Sequence, residues 1–232
     1  MRVAAVLVAA GRGERFGHAL PKAFAPLAGR PLLLRAAEAL FAAPEVDCVV
    51  PVVPASALPG FDAFLAEFGA PAGLAPPVAG GAERQDSVRA GVAALPPDCE
   101  WVAVHDAARA LVRPDAVRRV VAAATRSGAA ILAAPVRDTL KRVSEGRILE
   151  TPDRSAFWAA QTPQVFRVEL LREALAKAEA AGLRATDDAA LVERLGVPVH
   201  VVAGDPDNLK LTHPEDLAVA ERILLARGEE QA

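Results

Sequence analysis

Gly11-Arg12-Gly13-Glu14-Arg15 cuts short an apolar run near the start of the chain, and Pro21-Lys22 follows shortly after. Glycines let a backbone turn tightly and bring its N–H groups against phosphate oxygens. Arg15 and Lys22 then set a guanidinium and an ammonium where a triphosphate needs neutralising. Two other phosphate-binding patterns fail on inspection. A dinucleotide fingerprint needs a third glycine where Phe16 stands, and no G-x-x-x-x-G-K-[ST] loop is present. A glycine-rich turn by itself also fits an ordinary surface loop; the two cations at this spacing are what point to a polyphosphate.

Further along, His105-Asp106 closes a second apolar run. A carboxylate there suits Mg²⁺, which favours one or two carboxylates with phosphate and water oxygens; it equally suits a cap on the following turn. Asp207 is a second, weaker carboxylate candidate. His105 reads as a packing or hydrogen-bonding residue, since histidine at a metal signals softer ions than magnesium. Ser87 reads plainly as a first-turn helix hydroxyl, Thr186 as an N-cap before Asp187-Asp188, and Thr212-x-x-Glu215 as a capping box.

These residues need a scaffold, and the hydrophobic pattern supplies one. A continuous apolar run at 3–9 predicts a parallel strand buried on both faces, and further strands are expected at 46–53, 101–104 and 129–134. Helical spacing at 31–42, 57–68, 83–95 and 114–126 alternates with them. The alternation predicts an α/β fold, Rossmann-like: an open, mostly parallel sheet flanked by helices, with ligands bound beyond the carboxyl ends of the strands. Gly11, Gly13, His105 and Asp106 fall at those ends.

The rhythm then breaks. Segments 136–142 and 147–151 flank Ser144-Glu145-Gly146 and predict a β-hairpin. The hairpin has little apolar material of its own, and a lone hairpin is marginal in water, so it is expected to project and pack on another subunit. Helices at 168–181 and 187–195, a strand at 197–202 and a helix at 214–226 complete the pattern. Trp158 and Phe166 read as core or interface. No repeat or linker divides the chain, so a single domain over 1–232 with a hairpin arm at about 136–154 is expected.

Bulk properties narrow the function. A hydrophobic content of 53% in 232 residues supports a core and rules out wholesale disorder. A net charge of -3 argues against a protein built to coat nucleic acid. No apolar stretch reaches the length of a membrane span. Met1-Arg2 and the run that follows superficially resemble a signal peptide, but the run leads straight into the glycine loop, so a cytoplasmic location is expected. Cys48 and Cys99 have apolar neighbours and read as buried, inert thiols. Of only four lysines, two, Lys22 and Lys210, fall inside the motifs that matter most; beside a reacting phosphate a compact ammonium is not interchangeable with guanidinium.

Leu7-x-Ala9-Ala10-Gly11-x-Gly13-x-Arg15 followed by Pro21-Lys22 resembles the nucleotide-binding signature of sugar-phosphate nucleotidyltransferases. Gly80-Gly81-x-x-Arg84-x-Asp86-Ser87, His105-Asp106-Ala107-Ala108-Arg109, Asp138-Thr139-x-Lys141, Arg154-x-x-x-Trp158-x-x-Gln161-Thr162-Pro163-Gln164, Thr186-Asp187-Asp188 and Asn208-x-Lys210-x-Thr212 resemble one branch, the 2-C-methyl-D-erythritol 4-phosphate cytidylyltransferase family. The match covers nearly the whole chain in order. The chain departs from the family pattern at Ala23, commonly glutamine, at Ala82, often an aspartate that helps hold the base, and at Ala110, commonly proline.

The resemblance implies CMP transfer from CTP to a polyol phosphate, with pyrophosphate released. It implies that Ala9, Ala10, Gly11, Gly13, Lys22, Gly80, Gly81, Ser87 and Lys210 contact CTP. It further implies that Arg15, Lys22, Arg154 and Lys210 serve catalysis, and that Asp106 holds Mg²⁺. Asp106, Arg109, Thr139, Arg154 and Thr186 would bind the acceptor, with Thr139 and Arg154 reaching from the arm into a partner's site in a homodimer. A ribitol-5-phosphate cytidylyltransferase shares most of these motifs. A non-catalytic nucleotide-binding module on the same fold would be expected to lack Arg15, Lys22, Asp106 or Lys210, all of which are present.

Overall fold

The computed structural model describes residues 2–11 and 21–229. The chain opens with β1 (Val3–Val8), whose residues alternate between two cores: Val3, Ala5 and Leu7 face one, Ala4 and Val6 the other. A strand apolar at every position is thus buried on both faces, as its sequence requires. After the glycine loop comes a small antiparallel ribbon, β2 (Pro26–Leu27) and β3 (Arg30–Pro31). It leads into α1 (Leu32–Phe41), which buries Leu32, Leu33, Ala36 and Leu40.

β4 (Val46–Val53) pairs with β1 in parallel. The segment expected to be helical over 57–68 splits in two. Pro59 confines the first part to a 3₁₀ turn, Ala55–Gly60, and α2 (Phe61–Phe68) follows. β5 (Val78–Ala79) is a two-residue edge strand that delivers the chain to α3 (Arg84–Ala93). β6 (Trp101–Asp106), α4 (Pro114–Ser127) and β7 (Ala129–Pro135) continue the alternation.

The arm consists of β8 (Arg142–Ser144) and β9 (Arg147–Glu150). The strand expected at 136–142 is displaced: pairing begins only at Arg142 and runs to Ser144, and Glu145 and Gly146, both at positive φ, make the tight turn. Every arm-strand residue is exposed, including Val143, Ile148 and Leu149, and Phe157 and Trp158 at its base are also exposed.

The largest departure from the sequence reading is β10 (Trp158–Arg167), a ten-residue strand inserted antiparallel between β6 and β7. The sequence hides it because its middle, Gln161-Thr162-Pro163-Gln164, is polar and contains a proline, both poor signals for a central strand. The structure accommodates them with an irregularity in the pairing with β7 between Ala160 and Gln164, so Pro163 owes no ladder hydrogen bond.

α5 (Val168–Ala180) and α6 (Asp188–Glu193) follow. β11 (His200–Ala203) then starts three residues later than expected, and α7 (Glu215–Arg227) ends the described chain. At the start of α7 the expected Thr212–Glu215 capping box does not form; the backbone N–H groups of Thr212 and His213 both donate to Asp216 instead.

Among the described residues the main sheet has seven strands in the order β11-β7-β10-β6-β1-β4-β5, with β10 alone antiparallel to its neighbours. α1, α4 and α7 contribute to one core, and α3, α5 and α6 to the other. Cys48 and Cys99 are buried free thiols, both pushed up by burial, which fits the inert reading. No described helix is long and apolar enough to cross a membrane.

Candidate active site

β1, β4 and β6 run in register, Val8 lying beside Val52 and Asp106, so the three strands end at one level. A cleft of about 560 Å³ opens there. Ala9, Ala10 and Gly11 form one wall, and the chain from Gly81 to Arg84, with Ser87, forms the other. Lys22, Asp106 and Lys210 also face it. Gly13 and Arg15 lie outside the described residues.

The glycine wall is tightly fitted. The Gly80 N–H donates to Val53 O at 2.8 Å, extending the β4 edge. A Cβ on Gly80 would lie 2.1 Å from Ala10 Cβ and 2.8 Å from Ser87 Oγ, so no side chain fits without displacing the opposite wall. Ser87 serves both readings. Its hydroxyl bonds Glu83 O within the helix's first turn, accepts the Gly81 N–H at 3.2 Å, and borders the cleft.

Asp106 is the electrostatic centre. One carboxylate oxygen meets Arg84 Nε at 3.0 Å and the other meets Lys210 Nζ at 2.6 Å. Burial alone would raise this carboxyl, but Arg84 and Lys210 outweigh it and hold Asp106 well below the usual carboxylate range. Arg84 also reaches Asp188, with Nη1 at 2.9 Å from a carboxylate that is 1% exposed. Burial pulls Arg84 down, yet the two carboxylates prevail and raise it.

Behind Asp106 lies a buried polar layer supplied by β10. The Asp106 N–H donates to Thr162 Oγ1 at 3.0 Å, and the same hydroxyl lies 3.0 Å from His105 Nδ1. The far nitrogen, His105 Nε2, lies 3.2 Å from Arg109 O, which can only accept. Nε2 therefore carries a proton, and because burial keeps the ring neutral, Thr162 donates to Nδ1. Burial takes the His105 pKa down to about 4.

Lys210 is carried on the loop between β11 and α7, and this loop is pinned from several sides. Asn208 Nδ2 donates to Gln161 Oε1 and to Thr162 O, the Leu211 N–H donates to Ala108 O, and Lys22 Nζ donates to Leu211 O at 2.7 Å. The two lysines singled out in the sequence thus meet at one loop, which carries Lys210 and accepts a hydrogen bond from Lys22.

The remaining site candidates are not gathered into the cleft. Arg109 directs its guanidinium to Asn208 O at 2.6 Å and Ala160 O at 3.2 Å, where it straps the Lys210 loop to β10. Thr139 is exposed near the arm, and Arg154 donates to Arg137 O at 2.7 Å at the arm's base. Thr186 is exposed, and it is Asp187 that caps α6 by accepting the Ala190 N–H, so the capping reading of Thr186 is corrected. Asp207 sits 3.6 Å from Arg227 and does not line the cleft.

Sequence reasoning gave no role to Arg84, Thr162, Gln164 or Asp188. Their signal was their place inside the quoted motifs. Their work is to hold other polar groups, which spacing alone does not reveal.

Asp106 brings a carboxylate into the cleft, flanked by two cations, and no group of three acidic, histidine or cysteine side chains among the described residues could hold a metal ion. One carboxylate with phosphate and water oxygens suffices for magnesium. The donor set therefore fits a metal arriving with a triphosphate, not a preassembled protein cage.

Comparison with known proteins agrees with this geometry. The sequence model for 2-C-methyl-D-erythritol 4-phosphate cytidylyltransferase matches residues 3–226. A protein of that name from Nocardia farcinica is 48% identical over 229 residues, covering 97% of this chain and 95% of its own. The crystal structure of the Thermus thermophilus enzyme is 40% identical with a TM-score of 0.76, covering 98% of this chain and 100% of that one. The crystal structure of 4-diphosphocytidyl-2C-methyl-D-erythritol synthase from Anaerococcus prevotii superimposes with a TM-score of 0.84 at 26% identity, covering 97% and 96%. The chain belongs to the 2-C-methyl-D-erythritol 4-phosphate cytidylyltransferase family.

Proposed function

We propose that this cleft transfers CMP from CTP to 2-C-methyl-D-erythritol 4-phosphate, a step of non-mevalonate isoprenoid precursor synthesis. A phosphate oxygen of the acceptor attacks the α-phosphorus of CTP. The new P–O bond forms as the bond to the β-phosphate's bridging oxygen breaks, and pyrophosphate leaves with the electron pair. Such a step depends on positioning and charge neutralisation more than on covalent participation of the protein. The observation that carries the reading is the convergence of Lys22, Asp106 and Lys210 on one cleft walled by Gly11 and Gly81.

In this reading the backbone of Ala9, Ala10, Gly11 and Gly13 cradles the triphosphate. Gly80, Gly81 and Ser87 receive the cytidine; with Ala82 in the wall, the base is read without a carboxylate at that position. Arg15 and Lys22 neutralise charge gathering at the α-phosphorus. Lys210 leaves Asp106 for phosphate once a nucleotide is bound, and Asp106 is the carboxylate that would hold Mg²⁺. The metal would supply charge neutralisation at the phosphates. Thr186 and Arg109 bind the acceptor, and Arg109 also steadies the loop bearing Lys210.

Thr139 and Arg154 lie outside the cleft of their own chain, and the apolar residues of the arm are exposed. Both features support a homodimer in which the arm enters the partner's site and Arg154 meets the acceptor phosphate there, since guanidinium suits a bidentate grip on phosphate. The protein works in the cytoplasm, where CTP is available, without nucleic-acid or membrane partners.

Incubation with CTP, Mg²⁺ and the acceptor, followed by mass spectrometry, tests the chemistry. The expected product carries the acceptor plus one CMP; a product bearing a transferred phosphate alone would overturn the assignment.

A further inference from the structure

Arg84 stands in the first turn of α3, where its guanidinium spans two carboxylates that belong to different parts of the fold. Asp106 ends β6 and borders the nucleotide cleft. Asp188 opens α6, two residues after Thr186. The Asp188 side chain is almost wholly buried, and its backbone is fixed as well: the N–H groups of Asp188 and Ala189 both donate to Gln164 Oε1, at 3.1 and 3.0 Å. Gln164 Nε2 returns a bond to Asp187 at 2.8 Å. The start of α6 is thus clamped between β10 and Arg84. Arg84 is not remote from the chemistry, because it lines the cleft itself.

We infer that Arg84 is a positioning residue that couples the nucleotide-side carboxylate of Asp106, through Asp188, to the segment carrying Thr186, and so sets the acceptor's place relative to the nucleotide. This rests on the proposed reading of Asp106 and Thr186. The planar fork of arginine is what makes the coupling possible, since Nε and Nη1 meet two acids at the same time. A lysine at position 84 retains one positive charge but, as a point donor, cannot hold two carboxylates in a fixed relation. When Lys210 turns to phosphate, Arg84 remains as the cation on Asp106, so the link between the two subsites persists through the reaction.

The test is a double-mutant cycle on the full chain with Arg84→Lys and Asp188→Asn, reading KM for CTP, KM for the acceptor, kcat and thermal midpoint. Each single variant is expected to raise the acceptor KM on the order of tenfold while changing the CTP KM little, and the double variant to be no worse than either single, as for residues sharing one ion network. Arg84→Gln, which removes the charge beside Asp188, is expected to lose soluble folded protein, whereas Arg84→Lys retains it. A lowered midpoint with both KM values unchanged would make Arg84 a strut only and overturn the inference; strictly additive effects would overturn the coupling. If the unmutated protein transfers no CMP, the functional reading itself has failed, separately from this one.

Discussion

Lys22 and Lys210 are two of four lysines in a chain that otherwise uses arginine, and the fold brings both to one loop: Lys22 on Leu211 O and Lys210 on Asp106. Each is expected to act on the transition state more than on folding. Lys22→Ala and Lys210→Met should therefore lower kcat/KM by about 10²- to 10³-fold, the range for removing one preorganised stabilising charge. The thermal midpoint should move little, and steady-state kinetics beside thermal melts check both parts. These charges were legible in the sequence because their residue types stood out. Arg109 was legible as a charged motif residue but not in its placement, because only the fold shows the carbonyls of Asn208 and Ala160 waiting for its guanidinium.

At the level of elements, the parallel strands and their helices were readable because burial on both faces leaves an unbroken apolar signature, as in β1 and in residues 129–134 of β7. β10 was not, since its function is polar: Thr162, Gln161 and Gln164 brace Asp106, the Lys210 loop and α6 from within the sheet. Thr162→Val keeps the shape but removes the acceptor for the Asp106 N–H and the donor to His105. It is expected to destabilise the protein by about 2 kcal/mol, the cost of leaving a buried polar group unpaired, with Thr162→Ser largely restoring it; chemical denaturation measures both. Gly80→Ala tests the nucleotide wall. Its Cβ would lie 2.1 Å from that of Ala10, so the wall must open. The KM for CTP is expected to rise by about tenfold or more, since a misplacement of the order of an ångström is that costly or worse.

For the molecule as a whole, His105 weakens the fold in acid, while Asp188, whose carboxyl burial raises, acts in the opposite sense. Burial lowers the His105 pKa from 6.5 to about 4, so below about 6.5 the unfolded chain takes up a proton that the folded chain refuses until about 4. The stability present above pH 6.5 is therefore lost as pH falls through that window, by about 3 kcal/mol. Asp106, held below the carboxylate range, adds its own loss only at lower pH, beneath its unfolded value of 3.8. Denaturation midpoints between pH 7 and 4 should show the first loss, and His105→Gln should flatten it. The arm gives a second prediction at this scale. Ile148 and Leu149 are exposed on a hairpin with no core of its own, so Ile148→Asp is expected to shift a dimer toward monomer in light scattering and to lower activity at low protein concentration. That the arm projects was readable from its poverty in apolar residues, whereas the strand boundaries depended on the positive φ of Glu145 and Gly146, which the sequence suggests only through the glycine.

The most direct test is the initial rate of pyrophosphate release from CTP and Mg²⁺ with 2-C-methyl-D-erythritol 4-phosphate or ribitol 5-phosphate as acceptor. Rapid release that strongly favours the methylerythritol phosphate, and is lost in Lys22→Ala, is the predicted result. Preference for ribitol 5-phosphate, or no release with either acceptor, would contradict it.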